Sequence, residues 1–161
     1  EVGGDFFDYF RLGEDRFAFL VADVADKGAP AAMIMAISKS LIKLRASVGG
    51  TPGEVLKSVS EWLITDGSSV FVTAWLGILD LNSGEVAACN AGHTQPAILH
   101  VSGEEGYTLK KLPHGAAMGL MPGMKFRDFT LQLAPGDRIS CIRMVWWRPR
   151  AGTARCSGRT G

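Results

Sequence analysis

Two acidic residues lie in settings that suit a divalent cation. Asp5 follows the glycine pair Gly3-Gly4, and Asp23 ends the β-rich run at 16–23. Mg²⁺ and Mn²⁺ prefer oxygen ligands, and glycine lets backbone carbonyl groups approach closely. The pattern therefore indicates a metal site, but the same carboxylates could simply cap turns and the start of a helix. Spacing alone leaves both interpretations open.

The other polar motifs argue against several classes of enzyme and indicate no catalytic residue. The Asn90-Ala91-Gly92-His93 segment predicts a tight turn that presents a polar side chain, but a lone histidine there is more often structural than catalytic. His100 and His114 have no identifiable partner. The chain has no G-x-S-x-G elbow, P-loop or G-x-G-x-x-G motif, which argues against a serine hydrolase and against those nucleotide-binding sites.

Two strands and two helices are predicted to position the acidic residues. A strand over 5–10 and a second over 16–23, separated by a turn at 13–15, predict a hairpin. A helix follows over 31–46, with an apolar face predicted from Ile34, Ile37, Leu41 and Leu44. Thr51-Pro52-Gly53-Glu54 carries the signals of a capping box, so a second helix should begin there and end near residue 64.

The rest of the chain has the pattern of successive strands. Apolar or alternating segments separated by turn residues predict strands over 70–81, 85–90, 96–101, 107–112 and 126–133. Strands, two helices and then hairpins form an α+β order with an antiparallel sheet, unlike the alternating order of a parallel sheet.

Composition is that of a globular domain. The chain has 161 residues, of which 47% are apolar and 20% charged, enough to form one core. No apolar run approaches the roughly 18 residues of a membrane span, and no signal-peptide pattern is present, so we expect a cytoplasmic protein. Cys89, Cys141 and Cys156 have no C-x-x-C spacing and indicate neither a disulfide framework nor a zinc site.

Charge is divided unevenly along the chain. Residues 1–137 hold all 16 acidic and 11 basic residues, a net charge of −5, whereas residues 138–161 hold six arginines and no acid, a net charge of +6. A basic tail can bind nucleic acid, but only as part of a folded basic surface.

Six motifs in register together resemble the bacterial PPM-type serine/threonine phosphatases, in the branch of stage II sporulation protein E and the stress-response sigma-factor regulators. The resemblance covers residues 1–139. The motifs are Val2-Gly3-Gly4-Asp5-Phe6-Phe7-Asp8, Val21-Ala22-Asp23-Val24-Ala25-Asp26-Lys27-Gly28, Phe71-Val72-Thr73-Ala74, Asn90-Ala91-Gly92-His93, Met118-Gly119-Leu120 and Leu133-Ala134-Pro135-Gly136-Asp137-Arg138.

This resemblance implies an α-β-β-α sandwich of two mainly antiparallel sheets flanked by helices, here truncated at both ends. It implies a dinuclear Mn²⁺ or Mg²⁺ centre held by Asp5, Asp23 and the backbone carbonyl of Val24, with Asp5 and Asp23 as the catalytic residues. In such a centre the ions lower the pKa of a bridging water and neutralise phosphoryl charge. The helix over 31–46 corresponds to the regulatory element of the family and is a candidate switch.

The resemblance also implies partners. The expected substrate is a phosphorylated regulatory protein of the anti-sigma-factor antagonist type, and we expect neither nucleic-acid binding nor membrane insertion. An N-terminal sensor domain and dimerisation fit the same family. A second interpretation is a non-catalytic module that binds a partner through the helix over 31–46 and the turn at 90–95.

The end of the chain departs from the family pattern. The family continues with F-L-Y-T-D-G-V-x-E-A, whose aspartate is a further metal ligand, whereas this chain reads I-S-C-I-R-M-V-W-W-R at 139–148. Met and Trp have one codon each, so residues 144–147 require ATG GTN TGG TGG. Moving the frame back by one base gives NAT GGT NTG GTG, which can encode Asp-Gly-Val-Val. With the same shift, the codons before this segment can encode Phe-Leu-Tyr-Thr, and the codons after it can encode Glu-Ala.

We therefore expect residues 1–139 to be an incomplete phosphatase domain and residues 140–161 to be a frame-shifted tail with incidental basic charge. As written, the chain lacks the aspartate that the alternative frame places at Met144, so its activity is in question.

Overall fold

The computed structural model describes residues 4–67, 70–100, 107–108 and 112–141. In this part of the chain two helices and eight strands follow one another in the predicted α+β order. The helices are α1 (Ala29–Val48) and α2 (Pro52–Thr65), and the strands are β1 (Asp5–Arg11), β2 (Arg16–Val24), β3 (Val72–Asp80), β4 (Glu85–Ala91), β5 (Ala97–Leu99), β6 (Tyr107–Thr108), β7 (Asp128–Gln132) and β8 (Arg138–Ser140).

The strands form two antiparallel sheets. The larger sheet has the order β1-β2-β3-β4-β7, and the smaller one has the order β6-β5-β8. The predicted fold class, α+β with two antiparallel sheets and flanking helices, is confirmed. Both helices of the described part pack on the larger sheet.

Side-chain alternation along β3 assigns the two faces of the larger sheet. Leu76 points into the core beneath the helices, where it joins Leu20 and Leu56. Trp75, one residue earlier, points to the opposite face and packs with Ile98 of the smaller sheet. Because successive side chains of a strand alternate, Thr73 and Trp75 share the face that looks toward the smaller sheet.

Helix α2 begins with the predicted capping box. The Thr51 hydroxyl accepts a hydrogen bond from the Glu54 backbone N–H, and the Glu54 carboxylate accepts one from the Thr51 N–H. A second contact ties this end to the sheet, because Asp128 at the start of β7 accepts a 2.7 Å hydrogen bond from the Gly53 N–H.

Helix α1 presents a different face from the predicted one. Ile34 is buried as expected, but Leu44 is 60% exposed. The buried row is Ile34, Ser38, Ile42 and Ala46, each four residues after the last. Leu41 packs partly against the same core, so the buried face is turned only slightly from the predicted one, and this turn leaves Leu44 toward solvent.

His100 has a partner that the sequence did not indicate. Its Nδ1 lies 2.7 Å from the carboxylate of Asp137, which is almost fully buried. The same carboxylate accepts a hydrogen bond from the Ala134 N–H and so closes the turn before β8. His100 therefore joins the end of β5 to this turn, and its role is structural.

Candidate functional site

Asp5 and Asp23 lie directly opposite each other on β1 and β2. The Val24 N–H donates to the Gly4 carbonyl at 3.2 Å, which makes Gly4 and Val24 the hydrogen-bonded pair of this ladder. Pairs alternate along an antiparallel ladder, so Asp5 and Asp23 form the non-hydrogen-bonded pair, in which side chains lie closer. Two carboxylates in this position repel each other, and a cation between them would offset the repulsion.

Gly4 keeps β1 close to the proposed backbone ligand. A Cβ atom at this position would lie 2.7 Å from the Val24 carbonyl oxygen and 2.8 Å from the Val24 Cβ. Only glycine avoids this contact without a shift of the backbone. The second glycine of the Val-Gly-Gly-Asp motif therefore sets the position of the Val24 carbonyl.

Thr73 extends the site to the third strand. It is the register partner of Asp23 on β3. Its hydroxyl oxygen lies 3.0 Å from Nδ1 of His93 and 3.4 Å from the backbone carbonyl of Asp23. The threonine thus links the strand that carries Asp23 to the turn that carries His93.

The turn after β4 holds His93 in place. The Asn90 side chain accepts a 2.8 Å hydrogen bond from the His93 N–H and donates a 3.0 Å hydrogen bond to the His93 carbonyl. Gly92 has φ +73°, and a Cβ there would lie 2.9 Å from the backbone nitrogen of Ala117. Asn90 and Gly92 therefore fix the backbone of the turn, and with it the direction of the imidazole.

A cavity of about 490 Å³ joins these elements. Asp5 and His93 line it together with Phe6, Phe7, Val21, Ala22 and Cys141. His93 is 6% exposed, and burial lowers the pKa of its imidazole, while the negative charge of Asp5 acts in the opposite direction. Its Nε2 has no hydrogen-bond partner in the described part of the protein.

The donors at this site fit a divalent cation in type. Two carboxylates and one carbonyl are the oxygen ligands that Mg²⁺ and Mn²⁺ prefer. Across residues 4–67, 70–100, 107–108 and 112–141, no three His, Cys, Asp or Glu side chains converge to hold a metal ion. The set therefore suits a hard cation but is short of acidic ligands.

The structure brings together Asp5, Asp23 and the strand end at Val24, the three residues singled out in the sequence. It adds His93, which the sequence treated as structural, and Thr73, to which no role was given. Thr73 lies beside Asp23 in the register of β2 and β3, so a prediction of this strand pairing would have placed the threonine at the site. The His93 ring contacts Thr73 of β3, and a contact between the turn and a separate strand is not revealed by a local pattern.

Comparisons with known proteins agree with this fold. The family model of stage II sporulation protein E (SpoIIE) matches residues 13–142. Phosphoserine phosphatase RsbU of Bacillus subtilis is 24% identical over 86% of this chain and 41% of its own length. Protein IcfG of Synechocystis sp. is 29% identical over 86% of this chain and 26% of its own length.

A solved structure matches over the same share of the chain. The RsbU and RsbW domains of Rv1364c from Mycobacterium tuberculosis align with a TM-score of 0.74 and 33% identity, covering 86% of this chain and 38% of that one.

Two antiparallel sheets, a helical layer and the match to the SpoIIE family model define a PP2C-type phosphatase domain. The chain belongs to the SpoIIE family, in its sporulation and stress-regulator branch. It spans less than half the length of the curated relatives that it matches. No helix in the described residues is long and apolar enough to cross a membrane.

Proposed function

We propose that this chain is the catalytic domain of a metal-dependent protein phosphatase that acts on phosphoserine or phosphothreonine. The observation that carries the proposal is the placement of Asp5 directly opposite Asp23, beside a cavity, in a chain of the SpoIIE family. The name of RsbU, a phosphoserine phosphatase, supports the substrate class. The proposed substrate is a phosphorylated regulatory protein of the anti-sigma-factor antagonist type in the cytoplasm.

Asp5, Asp23 and the Val24 carbonyl are the residues that would hold Mn²⁺ or Mg²⁺. Bound ions would supply an activated water and neutralise charge on the phosphoryl group. The residues themselves account for the dependence on metal: two carboxylates repel a phosphoryl dianion, so the substrate can approach only when cations balance their charge. Metal and substrate binding should therefore be coupled.

The walls of the cavity contribute to the same chemistry. Phe7 and Val21 share the strand face of Asp5 and Asp23 and give the cavity an apolar wall. A wall of low polarity strengthens the interactions between a phosphoryl group and the charged residues. Asp5 lies at the polar end of this wall, where a phosphoryl group would meet it.

We also propose the domain division given by the codon argument: residues 1–139 as an incomplete phosphatase domain and 140–161 as a frame-shifted tail. The alternative frame supplies an aspartate at Met144, three residues after Cys141, which lines the cavity. This added carboxylate would extend a donor set that is short of acidic ligands in the described residues. Resequencing of the gene across this stretch tests the division, and an undisturbed frame relative to close relatives would overturn it.

A non-catalytic binding module is the second candidate. It is favoured by the short ligand set and by the exposed apolar side chains of α1, where Met33 is 65% and Leu44 60% exposed. The partner would contact residues 31–46 of α1 and the turn at 90–95.

Hydrolysis of p-nitrophenyl phosphate and of a phosphoserine peptide with Mn²⁺ separates the two candidates. The chain as written is compared with a version restored to the alternative frame, and we expect turnover from the restored chain. Asp5→Asn in the restored chain should lower kcat/KM by roughly 100-fold, which corresponds to about 3 kcal/mol of lost transition-state stabilisation. The matched control is Asp8→Asn on the same strand.

Asp8 contacts Lys39 of α1 and not the cavity, so its loss should leave turnover within about twofold of the parent. A folded, restored chain that binds Mn²⁺ but shows no turnover would contradict the catalytic proposal and favour the binding module.

A further inference from the structure

We propose that Thr73 and His93 are positioning residues of the proposed metal site, which hold the end of β2 through a chain of two hydrogen bonds. Nδ1–H of His93 donates to the Thr73 hydroxyl oxygen, and the Thr73 hydroxyl donates to the Asp23 carbonyl. The inference rests on the proposed function, because it takes Asp23 and the Val24 carbonyl as metal ligands. It assigns a role to two residues that are not ligands themselves.

The direction of the two hydrogen bonds follows from the number of protons. The Thr73 hydroxyl has one proton, which it donates to the Asp23 carbonyl oxygen at 3.4 Å. Nδ1 of His93 lies 3.0 Å from the same hydroxyl oxygen and must then be the donor. Burial lowers the pKa of the imidazole, so the ring is neutral and its single N–H lies at Nδ1.

The peptide group between Asp23 and Val24 is the part of β2 that this chain of hydrogen bonds holds. Its N–H donates to the Gly4 carbonyl at 3.2 Å on the side of β1, and its carbonyl accepts from Thr73 on the side of β3. The group is therefore held by both neighbouring strands. Because a peptide group is rigid and planar, a shift of this one would move the Asp23 carboxylate and the Val24 carbonyl together.

The turn after β4 gives the chain of hydrogen bonds a fixed starting point. The Asn90 side chain bonds both the N–H and the carbonyl of His93. Gly92 forms a bridge to Ala74, the neighbour of Thr73 on β3. The imidazole is thus anchored beside the strand that it contacts, and its Nδ1–H holds the Thr73 side chain in the orientation in which the hydroxyl faces β2.

Packing alone does not account for an imidazole at this position. His93 is 6% exposed, and its buried Nε2 has no hydrogen-bond partner within the described residues. A buried polar atom without a partner destabilises a fold, whereas an apolar side chain of similar volume would fill the space without this cost. The contact of Nδ1 with Thr73 is therefore the feature that distinguishes histidine from an apolar residue here.

Small displacements of ligands matter at a metal site. Ligands have to be held within about 0.5 Å of the productive geometry. Replacing the outer residues that orient them changes metal affinity by about 10–100-fold. The ligand set is short of acidic side chains in the described residues, so the placement of Asp23 and Val24 should weigh heavily on affinity. We therefore expect metal binding to depend on the Thr73 hydroxyl.

Nuclear magnetic resonance of the metal-free chain tests the direction of the hydrogen bonds. Long-range ¹H–¹⁵N spectra report which nitrogen of an imidazole carries the proton. The chain has three histidines, which can be assigned with His93→Asn and His114→Gln. We expect His93 to be a neutral ring with its proton on Nδ1. A proton on Nε2 would mean that the Thr73 hydroxyl donates to the ring and not to Asp23, and it would overturn the proposal.

Mn²⁺ affinity, measured by isothermal titration calorimetry, tests the positioning in the chain as written and in the restored chain. Thr73→Val keeps the size of the side chain but removes the hydroxyl, and it should raise the Mn²⁺ Kd by about tenfold. Thr73→Ser keeps the hydroxyl and should raise the Kd by less than about threefold. Thr65→Val is the matched control and should leave the Kd unchanged, because the Thr65 hydroxyl bonds the Glu61 carbonyl within α2.

Variants of His93 test the first hydrogen bond of the chain. His93→Leu removes the donor and should raise the Mn²⁺ Kd by about tenfold, whereas His93→Asn keeps an N–H near the position of Nδ1 and should raise it by less than about threefold. The double variant Thr73→Val/His93→Leu should bind Mn²⁺ no more weakly than the weaker single variant, because both substitutions break the same chain. Circular dichroism confirms that each variant is folded, and rescue by serine and by asparagine separates positioning from a loss of structure.

Parent-like Mn²⁺ affinity in folded Thr73→Val or His93→Leu would overturn the positioning role, even where the restored chain hydrolyses phosphate esters. Failure of the proposed function gives a different pattern. If Thr73→Val weakens Mn²⁺ binding but the folded, restored chain shows no turnover, the positioning role stands and the catalytic proposal fails. If neither folded parent chain binds Mn²⁺, the metal site and the positioning role are both overturned.

Discussion

At the scale of single residues, the carboxylates of Asp5 and Asp23 are placed where their charges repel. They form a non-hydrogen-bonded pair across two strands, with side chains on the same face. Such an arrangement costs stability in the absence of a cation, because like charges directly opposite each other destabilise a sheet. A cation between the two carboxylates would remove this repulsion.

Replacing one carboxylate should make the metal-free protein more stable. With EDTA present, Asp5→Asn should raise the free energy of unfolding by about 0.2–1 kcal/mol, because the repulsion is removed. With Mn²⁺ present, the parent chain should gain stability and Asp5→Asn should gain much less. Urea unfolding followed by circular dichroism measures both effects.

Asp8→Asn serves as the control for this experiment, since Asp8 is paired with Lys39 at 3.8 Å and lies outside the cavity. In EDTA, the free energy of unfolding of Asp8→Asn should not exceed that of the parent chain. With Mn²⁺, Asp8→Asn should gain as much stability as the parent chain does. A loss of stability in Asp5→Asn without metal would show that the two carboxylates do not repel each other as described.

Cys89 should make the stability depend on alkaline pH. Burial, with a smaller contribution from the charge of Asp128, raises the pKa of its thiol from 9.0 to about 12. Above pH 9 the unfolded chain loses this proton and the folded chain keeps it, so stability falls as pH rises from 9 toward 12, by up to about 1.4 kcal/mol per pH unit. Below pH 9 both states hold the proton, and the effect is absent.

The measurement is the unfolding free energy of the parent and of Cys89→Ala at pH 8, 9.5 and 10.5. At pH 8, Cys89→Ala should be less stable than the parent chain, because a buried side chain becomes smaller. The difference in unfolding free energy between the two should shrink as pH rises. A constant difference across this range would contradict the raised pKa.

At the scale of elements, the start of α2 is the junction between the helices and the sheet. The capping box at Thr51 and Glu54 and the bond from Gly53 to Asp128 satisfy backbone N–H groups that the helix leaves unpaired. The capping box was predictable, because its signal lies within four residues. The contact with Asp128 was not, because 75 residues separate it from Gly53.

Gly53→Ala should therefore destabilise the protein although alanine favours helices. A Cβ atom would lie 2.6 Å from the Phe126 carbonyl and 3.0 Å from the Asp128 carboxylate. We expect a loss of about 1–3 kcal/mol in the free energy of unfolding, as for overpacked sites. Lys57→Ala in the same helix is the control, with a change under about 0.5 kcal/mol, because Lys57 is exposed and its ion pair is weak. An unchanged stability in Gly53→Ala would show that β7 can move away from α2.

The same division between local and distant causes explains what the sequence could predict. Strands β1 to β4 and both helices could be predicted from the spacing of apolar residues and from turn residues, because both signals lie within short stretches of the chain. The buried face of α1 could not, since the surrounding fold buries Ser38 and Ala46 and leaves Leu44 exposed. In the site, Asp5 and Asp23 were found from glycine and strand-end patterns, whereas the His93 ring contacts Thr73 of β3, which is 20 residues away in the chain.

At the scale of the whole molecule, the two faces of the larger sheet are covered unequally. One face is closed by α1 and α2, but on the other face Phe7 is 69% and Tyr9 is 65% exposed, with Tyr9 stacked on Phe17 at 6.1 Å. Aromatic side chains gain much free energy from burial, so these exposed side chains contribute little to the stability of the domain. It lies next to the cavity, because Phe7 also lines the latter.

The proposed frame-shifted tail predicts how three versions of the chain should compare. Ending the chain after Cys141 should leave the free energy of unfolding within about 0.5 kcal/mol of the parent, since a tail read in the wrong frame has no selected contacts. The restored frame should instead raise both this free energy and the urea m-value, because more apolar surface becomes buried on folding. Binding of the dye ANS should fall as Phe7 and Tyr9 become covered. If truncation destabilises the chain as much as loss of a strand would, residues 142–161 belong to the fold and the frame-shift proposal is wrong.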